Sequence, residues 1–343
     1  MAIPFADHRP MIGPRPAEFP RDMVGIADLI ELCFQGSLDS SGLALLRRAR
    51  TLASSGPLGW QMYRRLGSSD ELDWFHGFVW MEADRIVGNV SLAPSRAFPR
   101  TWAIANVAVH PASRRKGIAR ALTHLALAEA HELGGERAIL QVKTDNSPAL
   151  DLYVSLGFRE VTRRTLWTRP RAFLDPTPGA ASPQGLQKPS PRRSGEWRQE
   201  YELAKRVHPE GLVWTSALTL DTFRPTLWRF LNQVVTGDSE AHWMVRSQGH
   251  LIAFLWVLQR FGTAQALSVV HPDWQGQVEA VLISHALRAG AWDQEFALEA
   301  SQGTDEESLV HLGFRKGRTL VWMAKDLGAP QRNEAVGSTP QRD

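Results

Sequence analysis

The sequence predicts an α/β fold with two similar halves, and three observations support this prediction. Apolar runs of strand length alternate with segments whose apolar residues recur at helical spacing. The order of these segments in the first half returns, in weaker form, in residues 195–326. Between the halves the chain becomes rich in Pro, Ser and Arg, which is typical of a linker. We therefore expect domains at 1–170 and 195–326, a linker at 171–194 and a disordered tail at 327–343.

The composition limits the possible classes of protein. The chain has 343 residues, of which 43% are hydrophobic, enough to bury two cores. The lack of a bilayer-spanning apolar run and of a signal peptide favours a cytoplasmic protein without a membrane partner. The single cysteine, Cys33, excludes an intrachain disulfide and a cysteine-based metal cluster, and we predict no metal site. The net charge of +3 is spread too thinly to predict nucleic-acid binding, so we interpret the arginines near the linker as solvated.

The elements of the first half follow from its hydrophobic pattern. A short edge strand broken by prolines precedes two helices that each have one apolar face, and a turn at 82–84 joins two alternating strands into a hairpin. A further strand carries Arg163 and Arg164, which we expect to be exposed, and we expect another edge strand near Leu186. The predicted strands are 11–14, 74–81, 85–92, 104–109, 138–142 and 161–168, and the first two helices are 21–35 and 40–52.

A basic loop lies between the strand at 104–109 and the next helix. His110-Pro111 ends the strand, because proline cannot donate to a strand ladder. The loop then reads Arg114-Arg115-Lys116-Gly117-Ile118-Ala119. The first turn of a helix has unpaired N–H groups and a partial positive charge, and glycine lets a ligand approach the backbone. The loop therefore suits a diphosphate, although a solvated basic loop before a helix has the same composition.

The segment after this loop makes the pattern specific. A strand at 138–142 is followed by Asn146 or Ser147, either of which can cap a short helix, and Gly157 ends that helix. In this order and spacing the segment resembles the GCN5-related N-acetyltransferase (GNAT) family. The matched residues are Val107, Ala108, Val109, Arg114, Gly117, Ala119, Asn146, Ala149, Leu152, Tyr153, Gly157 and Phe158. The resemblance implies two domains of the acyl-CoA N-acyltransferase fold, each a mixed, mostly antiparallel twisted sheet flanked by helices.

The resemblance also implies a cosubstrate and roles for the matched residues. Family members move the acetyl group of acetyl-CoA directly to an amine in a ternary complex. The strand at 104–109 would splay from its parallel neighbour and pair with the pantetheine arm, and Tyr153 would protonate the departing thiolate. Asn146 would contact the pantetheine or hold the next helix start. The implied cofactor-binding residues are Val107, Ala108, Val109, Arg114, Arg115, Lys116, Gly117, Ile118, Ala119, Arg120 and Asn146.

The general base is the open part of this interpretation. Many family members have a glutamate near the position of Asn106, and asparagine cannot take a proton, although it can orient a water molecule. We count Asn106 as a catalytic candidate beside Tyr153. His110 is an alternative base, but a histidine before proline at a strand end is commonly structural, and His76 is a weaker candidate.

The second half matches the first but lacks its charged loop. His271-Pro272 repeats His110-Pro111, and Leu312-Gly313-Phe314 repeats Leu156-Gly157-Phe158. The loop reads Trp274-Gln275-Gly276-Gln277-Val278, so the cations are missing and Gln277 is predicted at the position of Gly117. Leu309 replaces Tyr153, and Gln302 replaces Asn146. We expect the second half to be structural or to shape the acceptor site.

These observations predict an acetyl-CoA-dependent N-acetyltransferase whose first half is active. The acceptor would be a small-molecule or peptide amine, and the protein would be a monomer with two pseudo-symmetric halves or a homodimer. A non-catalytic acyl-CoA-binding or sensor protein is the alternative, because a carboxylate is missing at Asn106.

Overall fold

The structure is a computed structural model that describes most of the chain. The described residues are 12–36, 38, 40–56, 76–95, 98–170, 186–208, 218, 220–226, 239–260, 263–290, 295–301, 304 and 306–328. Among them, no helix combines the length and the apolar character needed to cross a bilayer. The chain divides into two compact units, the first formed by the described residues within 1–140, 152–159 and 324–343, and the second by those within 141–151 and 160–323.

The first unit is built on a mixed sheet in the order β1-β2-β3-β4-β5. Neighbouring strands from β1 to β4 are antiparallel, whereas β5 runs parallel to β4. The strands are β1 (Gly13–Pro16), β2 (Gly77–Glu82), β3 (Arg85–Pro94), β4 (Thr101–Val109) and β5 (Arg137–Lys143). The continuous burial of β3 from Val87 to Ala93 shows that both faces of this sheet are covered.

Helices cover both faces of this sheet. On one face, α1 (Met23–Cys33) and α2 (Ser40–Ser54) pack through Ile26 and Leu46 against Val79 of β2. On the other face lies α3 (Ile118–Glu132), close enough that a Cβ atom on Gly88 would meet the side chains of Ile118 and Leu122 within 3 Å. Glycine is therefore required at Gly88 for α3 to approach the sheet.

The second unit contains mixed β-sheet in the strand order β12-β6-β11-β10-β9-β8-β7. Within it, β10 and β11 are parallel and the other registers recorded for this sheet are antiparallel. Its strands are β6 (Arg159–Arg169), β7 (Ser190–Pro191), β8 (Ser239–Ser247), β9 (His250–Arg260), β10 (Thr263–Val270), β11 (Glu295–Ser301) and β12 (Arg315–Asp326). The helices that follow α3 are α4 (Ser147–Ser155), α5 (Trp197–Val207), α6 (Leu220–Phe223), α7 (Glu279–Ala289) and α8 (Glu306–His311).

The predicted elements of the first half are present, with ends that move by a few residues. The predicted edge strand at 11–14 is β1, which begins at Gly13, and both of its prolines lie in the pairing with β2. The expected edge strand near Leu186 corresponds to a bridge between Leu186 and Ser247 and to β7. Residues 57–75, which follow the second helix and include the first residues of the strand predicted at 74–81, lie outside the described residues. The predicted domain boundaries stay predictions.

The predicted exposure of Arg164 is wrong. Arg163 is exposed and binds Glu160, but Arg164 is only 3% exposed and forms an ion pair with Glu299, which is 2% exposed, at 3.2 Å. Adjacent residues on a strand point to opposite faces of the sheet, so these two arginines cannot share one environment. The interpretation of the arginines near the linker as solvated is also wrong for Arg192, because its guanidinium binds the buried Glu200 carboxylate at 2.9 Å.

Candidate active site

A β-bulge interrupts β4 in the middle of the predicted cofactor strand. Asn89 of β3 faces Ala108, but Ser91, two residues on, faces Ala105, so Val90 lies opposite both Asn106 and Val107. Asn106 has a φ of +51°, in the left-handed region. Asparagine visits this region more readily than other residues with a side chain. A bulge leaves its extra residue out of the ladder, and here the bulge redirects the backbone of Asn106 and Val107.

On its other edge, the ladder between β4 and its parallel neighbour β5 ends just before the bulge. The pairing with β5 runs from Thr101 opposite Arg137 to Ile104 opposite Leu140. The strand continues to Val109, so its last five residues lie beyond the parallel ladder that the structure describes. Val107 therefore has no partner residue in either ladder of the described sheet. This geometry agrees with the predicted splay at Val107, Ala108 and Val109.

The loop after β4 is held in place by Glu82, which could not be recognised as a site residue from the sequence. His110 accepts a hydrogen bond at Nδ1 from the Ala112 N–H, which starts a single 3-10 turn at Pro111–Ser113. The Glu82 carboxylate at the end of β2 accepts from Ser113 Oγ at 2.8 Å and from Lys116 Nζ at 3.2 Å. These two bonds lower the pKa of Glu82. In the sequence, Glu82 is part of a turn, and its contact with the loop has no local signal.

The start of α3 is open at its N-terminus. Gly117 has a φ of +80° and precedes the first helical residue, Ile118, and a Cβ atom at Gly117 would have no neighbour within 4 Å. Within Ile118–Glu132, the first turn has no acidic residue, and no side chain caps it. The N–H groups of Ile118, Ala119 and Arg120 belong to the turn that lacks intrahelical acceptors. A phosphate is the kind of group that this arrangement can accept.

The cations of the loop do not all point the same way. Arg115 is exposed and has a φ of +64°, so both Arg115 and Gly117 have a left-handed backbone conformation. Arg114 Nε donates to the Val109 carbonyl at 3.1 Å, and Cys33 Sγ lies 3.3 Å from the same oxygen. Burial raises the pKa of the Cys33 thiol. Arg120 reaches across to Ser155 Oγ at 2.8 Å.

Asn146 lies at the start of α4. Its side-chain Oδ1 accepts from the Ala149 N–H at 3.3 Å, and its carbonyl accepts from the Ala149 and Leu150 N–H groups. These bonds show the capping role, one of the two that the sequence left open. Contact with a cofactor stays a prediction for Asn146.

Tyr153 lies on α4 and is almost enclosed. The residue is 6% exposed, and its ring meets the Phe158 ring edge-on at 5.9 Å between centroids. Among the described residues its hydroxyl has no hydrogen-bond partner, and the hydroxyl oxygen is not completely buried. Burial raises the pKa of Tyr153 above its usual value, so the phenol is protonated at neutral pH. No described residue accepts its hydroxyl proton, which is therefore available for donation.

The equivalent loop of the second unit begins in the same way. The backbone N–H of His271 donates to the Ile252 carbonyl at 2.8 Å, as the N–H of His110 donates to the Val87 carbonyl at 2.8 Å. A 3-10 turn at Pro272–Trp274 follows, and the His271 ring accepts from the Asp273 N–H as the His110 ring accepts from Ala112. The two strand ends therefore have the same hydrogen-bond pattern, residue by residue.

The loops then diverge. Gly276, with a φ of +77°, matches Arg115, but no second left-handed residue follows, and Val278 precedes the helix at a φ of −114°. The predicted match of Gln277 with Gly117 is therefore wrong: counted from His271, Gln277 aligns with Lys116, and Val278 takes the place directly before the helix that Gly117 has in the first half. The first turn of α7 carries buried Glu279. A carboxylate stabilises a helix N-terminus and repels a phosphate from it.

Two further differences separate the halves. The β9–β10 register is continuous from Arg260 opposite Thr263 to Ala253 opposite Val270, so the second unit has no counterpart of the β4 bulge in these described strands. Leu309 occupies the place of Tyr153, since the Phe314 N–H donates to its carbonyl at 3.0 Å as the Phe158 N–H donates to the Tyr153 carbonyl. This predicted correspondence is confirmed. Gln302 lies outside the described residues.

No group of three or more His, Cys, Asp or Glu side chains in the described ranges could hold a metal ion.

Comparison with known proteins agrees with this geometry. Residues 46–158 match the family described as Acetyltransferase (GNAT) family. Mycothiol acetyltransferase of Mycolicibacterium smegmatis is 30% identical over 172 residues, which cover 50% of this chain and 55% of that protein. A ribosomal protein bS18-alanine N-acetyltransferase of Escherichia coli K12 is 41% identical over 59 residues, 17% of this chain and 40% of that protein. The chain thus spans about half of the length of the curated relatives that it matches.

Solved structures show the same fold at low identity. A tandem GNAT protein from the clavulanic acid biosynthesis pathway has a TM-score of 0.53 at 18% identity, with 93% of this chain and 99% of that chain covered. A GCN5-related N-acetyltransferase from Sphaerobacter thermophilus has a TM-score of 0.59 at 15% identity, with 92% and 95% covered. The predicted α/β class with two such domains is confirmed. Residues 46–158 thus match the GNAT acetyltransferase family, and the chain is similar in fold to a tandem GNAT protein.

Proposed function

We propose that the protein is an acetyl-CoA-dependent N-acetyltransferase in which the first half is active and the second is structural or shapes the acceptor site. The contrast between the halves carries the proposal. The first half combines the β4 bulge, an open helix N-terminus at Gly117 and a donor at Tyr153, and the second half replaces each of them. Loss of all three from one half is expected when only the other half is under selection for catalysis.

The loop and α3 would hold the cofactor. The first-turn amides of α3 would bind the diphosphate, and exposed Arg115 would add charge. The open space in front of Gly117 fits this use, because any side chain there would fill it. The backbone of Val107, beyond both ladders, would pair with the acyl end of the cofactor and donate to its carbonyl oxygen.

In the reaction, acetyl-CoA supplies the acyl group. The amine nitrogen forms a bond to the thioester carbon, and the bond from carbon to sulfur breaks. The sulfur leaves as a thiolate and takes the Tyr153 proton, and the amine loses its extra proton to water or a base. Because Tyr153 is neutral at neutral pH, it acts in this scheme as the acid and not as the base. His110 is poorly suited as the base, since its Nδ1 already accepts from Ala112.

The acceptor is proposed only as a class. One relative is named mycothiol acetyltransferase, and the other is named for N-acetylation of an alanine of ribosomal protein bS18. We therefore propose a primary amine on a small molecule or at a peptide terminus as the acceptor.

Thiol release from acetyl-CoA with a panel of amines tests the proposal, together with calorimetry of CoA binding. We expect wild-type turnover, and we expect Tyr153→Phe to lose about 10²- to 10⁴-fold in kcat with an unchanged Kd for CoA, as for removal of a general acid. Tyr201→Phe is the matched control, because it removes a phenol hydroxyl from the second unit. CoA binding without turnover on any amine would favour the sensor alternative, and absence of CoA binding would refute both.

A further inference from the structure

The β4 bulge is fastened by two buried polar side chains of the neighbouring strand. Asn89 is 1% exposed and Ser91 is fully buried. Asn89 Nδ2 donates to the Asn106 carbonyl at 2.9 Å, and Ser91 Oγ accepts from Asn106 Nδ2 at 3.0 Å. Asn89 Nδ2 also lies 3.4 Å from Ser91 Oγ. Each of the three side chains is thus bonded to at least one of the others, and both strands are joined where the register shifts.

Burying two polar side chains inside a sheet is unfavourable unless their hydrogen bonds are made. Here those bonds end on one residue, Asn106, whose backbone has a left-handed conformation that side chains rarely adopt. A local conformation of this kind persists when the surrounding structure determines it. Asn89 holds the backbone carbonyl of Asn106, and Ser91 holds its side-chain amide. Together they fix both the backbone and the side chain of the bulged residue.

The second half provides an internal control. The matching N–H to carbonyl bonds of His110 to Val87 and of His271 to Ile252 align the two hairpins. This alignment places Phe254 at the position of Asn89 and Trp256 at the position of Ser91, two residues on. The β9–β10 ladder there runs without a shift. Polar residues and bulge occur together in the first half, and apolar residues and a regular ladder occur together in the second.

We infer that Asn89 and Ser91 are positioning residues that hold the β4 bulge in the conformation needed for acyl transfer. On this account Asn106 contributes through its backbone conformation, which aims the Val107 amide at the acyl oxygen, and its side chain neither orients a water molecule nor relays a proton. The inference rests on the proposed function, because it names what keeps the proposed amide donor in place.

The test compares Asn89→Leu, Ser91→Ala, Asn106→Ala and Asn106→Gly. Glycine reaches a positive φ without strain and alanine does not, so Asn106→Gly should retain at least tenfold more kcat than Asn106→Ala. Asn89→Leu should lose about 10- to 100-fold in kcat, less than the loss of a whole oxyanion donor, with the Kd for CoA unchanged. Ser284→Ala removes a fully buried hydroxyl from the second unit and serves as the matched control for Ser91→Ala.

A spectroscopic readout separates this inference from the proposed function. The infrared carbonyl band of bound ¹³C-acetyl-CoA should shift to lower wavenumber than in water, and the shift should shrink in Asn89→Leu and Ser91→Ala. This measurement needs no acceptor amine, so it can succeed or fail whether or not turnover is found. Equal kcat in Asn106→Gly and Asn106→Ala, or an unchanged band in both β3 variants, would overturn the inference. If Asn89→Leu does not fold, the Ser91 and Asn106 variants still decide it.

Discussion

Replacing Gly117 by alanine tests the helix N-terminus with a control built into the same helix. Gly117 precedes α3 at a φ of +80°, and Gly134 follows it at a φ of +83°, and a Cβ atom on either would have no protein neighbour within 4 Å. The stability cost of each substitution is therefore only the left-handed strain of a side chain, about 1–2 kcal/mol. Gly117→Ala and Gly134→Ala should lower the free energy of unfolding by similar amounts.

The two variants should differ in cofactor binding. A methyl group at Gly117 lies where the diphosphate would meet the first-turn amides, and loss of one hydrogen bond to a charged group costs about 1.5–3 kcal/mol. The Kd for CoA should therefore rise roughly 10- to 150-fold in Gly117→Ala, measured by calorimetry, and should not change in Gly134→Ala. Equal Kd values for the two variants would refute the placement of the diphosphate at this helix end.

Two predictions concern the buried charges of the second unit. Arg164→Met should lower the free energy of unfolding by about 3–5 kcal/mol, because it leaves buried Glu299 without this partner, whereas exposed Arg163→Met should change it by less than about 1 kcal/mol in urea titrations. Burial opposes the charge on His242, but the hydrogen bonds that its ring donates to the Glu200 and Glu240 carboxylates raise its pKa above the usual value. This raised pKa stabilises the fold below about pH 6.5, and the stabilisation is lost as the pH rises through the folded-state pKa. His242→Gln should flatten that slope in unfolding measured from about pH 6 to 9, and an unchanged slope would contradict the assignment.

The elements and the loop at 114–120 could be predicted from the sequence because their signals are local. The switch from an apolar strand to a helical period, with Gly117 between them, marks both the loop and the helix start. Asn146 before Pro148 marks the next helix start in the same way. The family spacing then indicated Tyr153, although its hydroxyl environment could be described only from the structure.

The remaining features depend on contacts between distant residues. The β4 bulge requires Asn89 and Ser91 on another strand, and nothing near Asn106 in the sequence reports a register shift. Glu82 supports the loop from a hairpin end some thirty residues earlier in the chain. Alternation could have shown that Arg163 and Arg164 face opposite sides, but which one is buried depends on Glu299.

The distinction between the halves can be measured most directly by hydrogen exchange with and without acetyl-CoA. The account predicts slower exchange at the amides of 107–109 and 117–120, and unchanged exchange at 277–281 in the second half. Slower exchange at 277–281 with no change at 117–120 would contradict it.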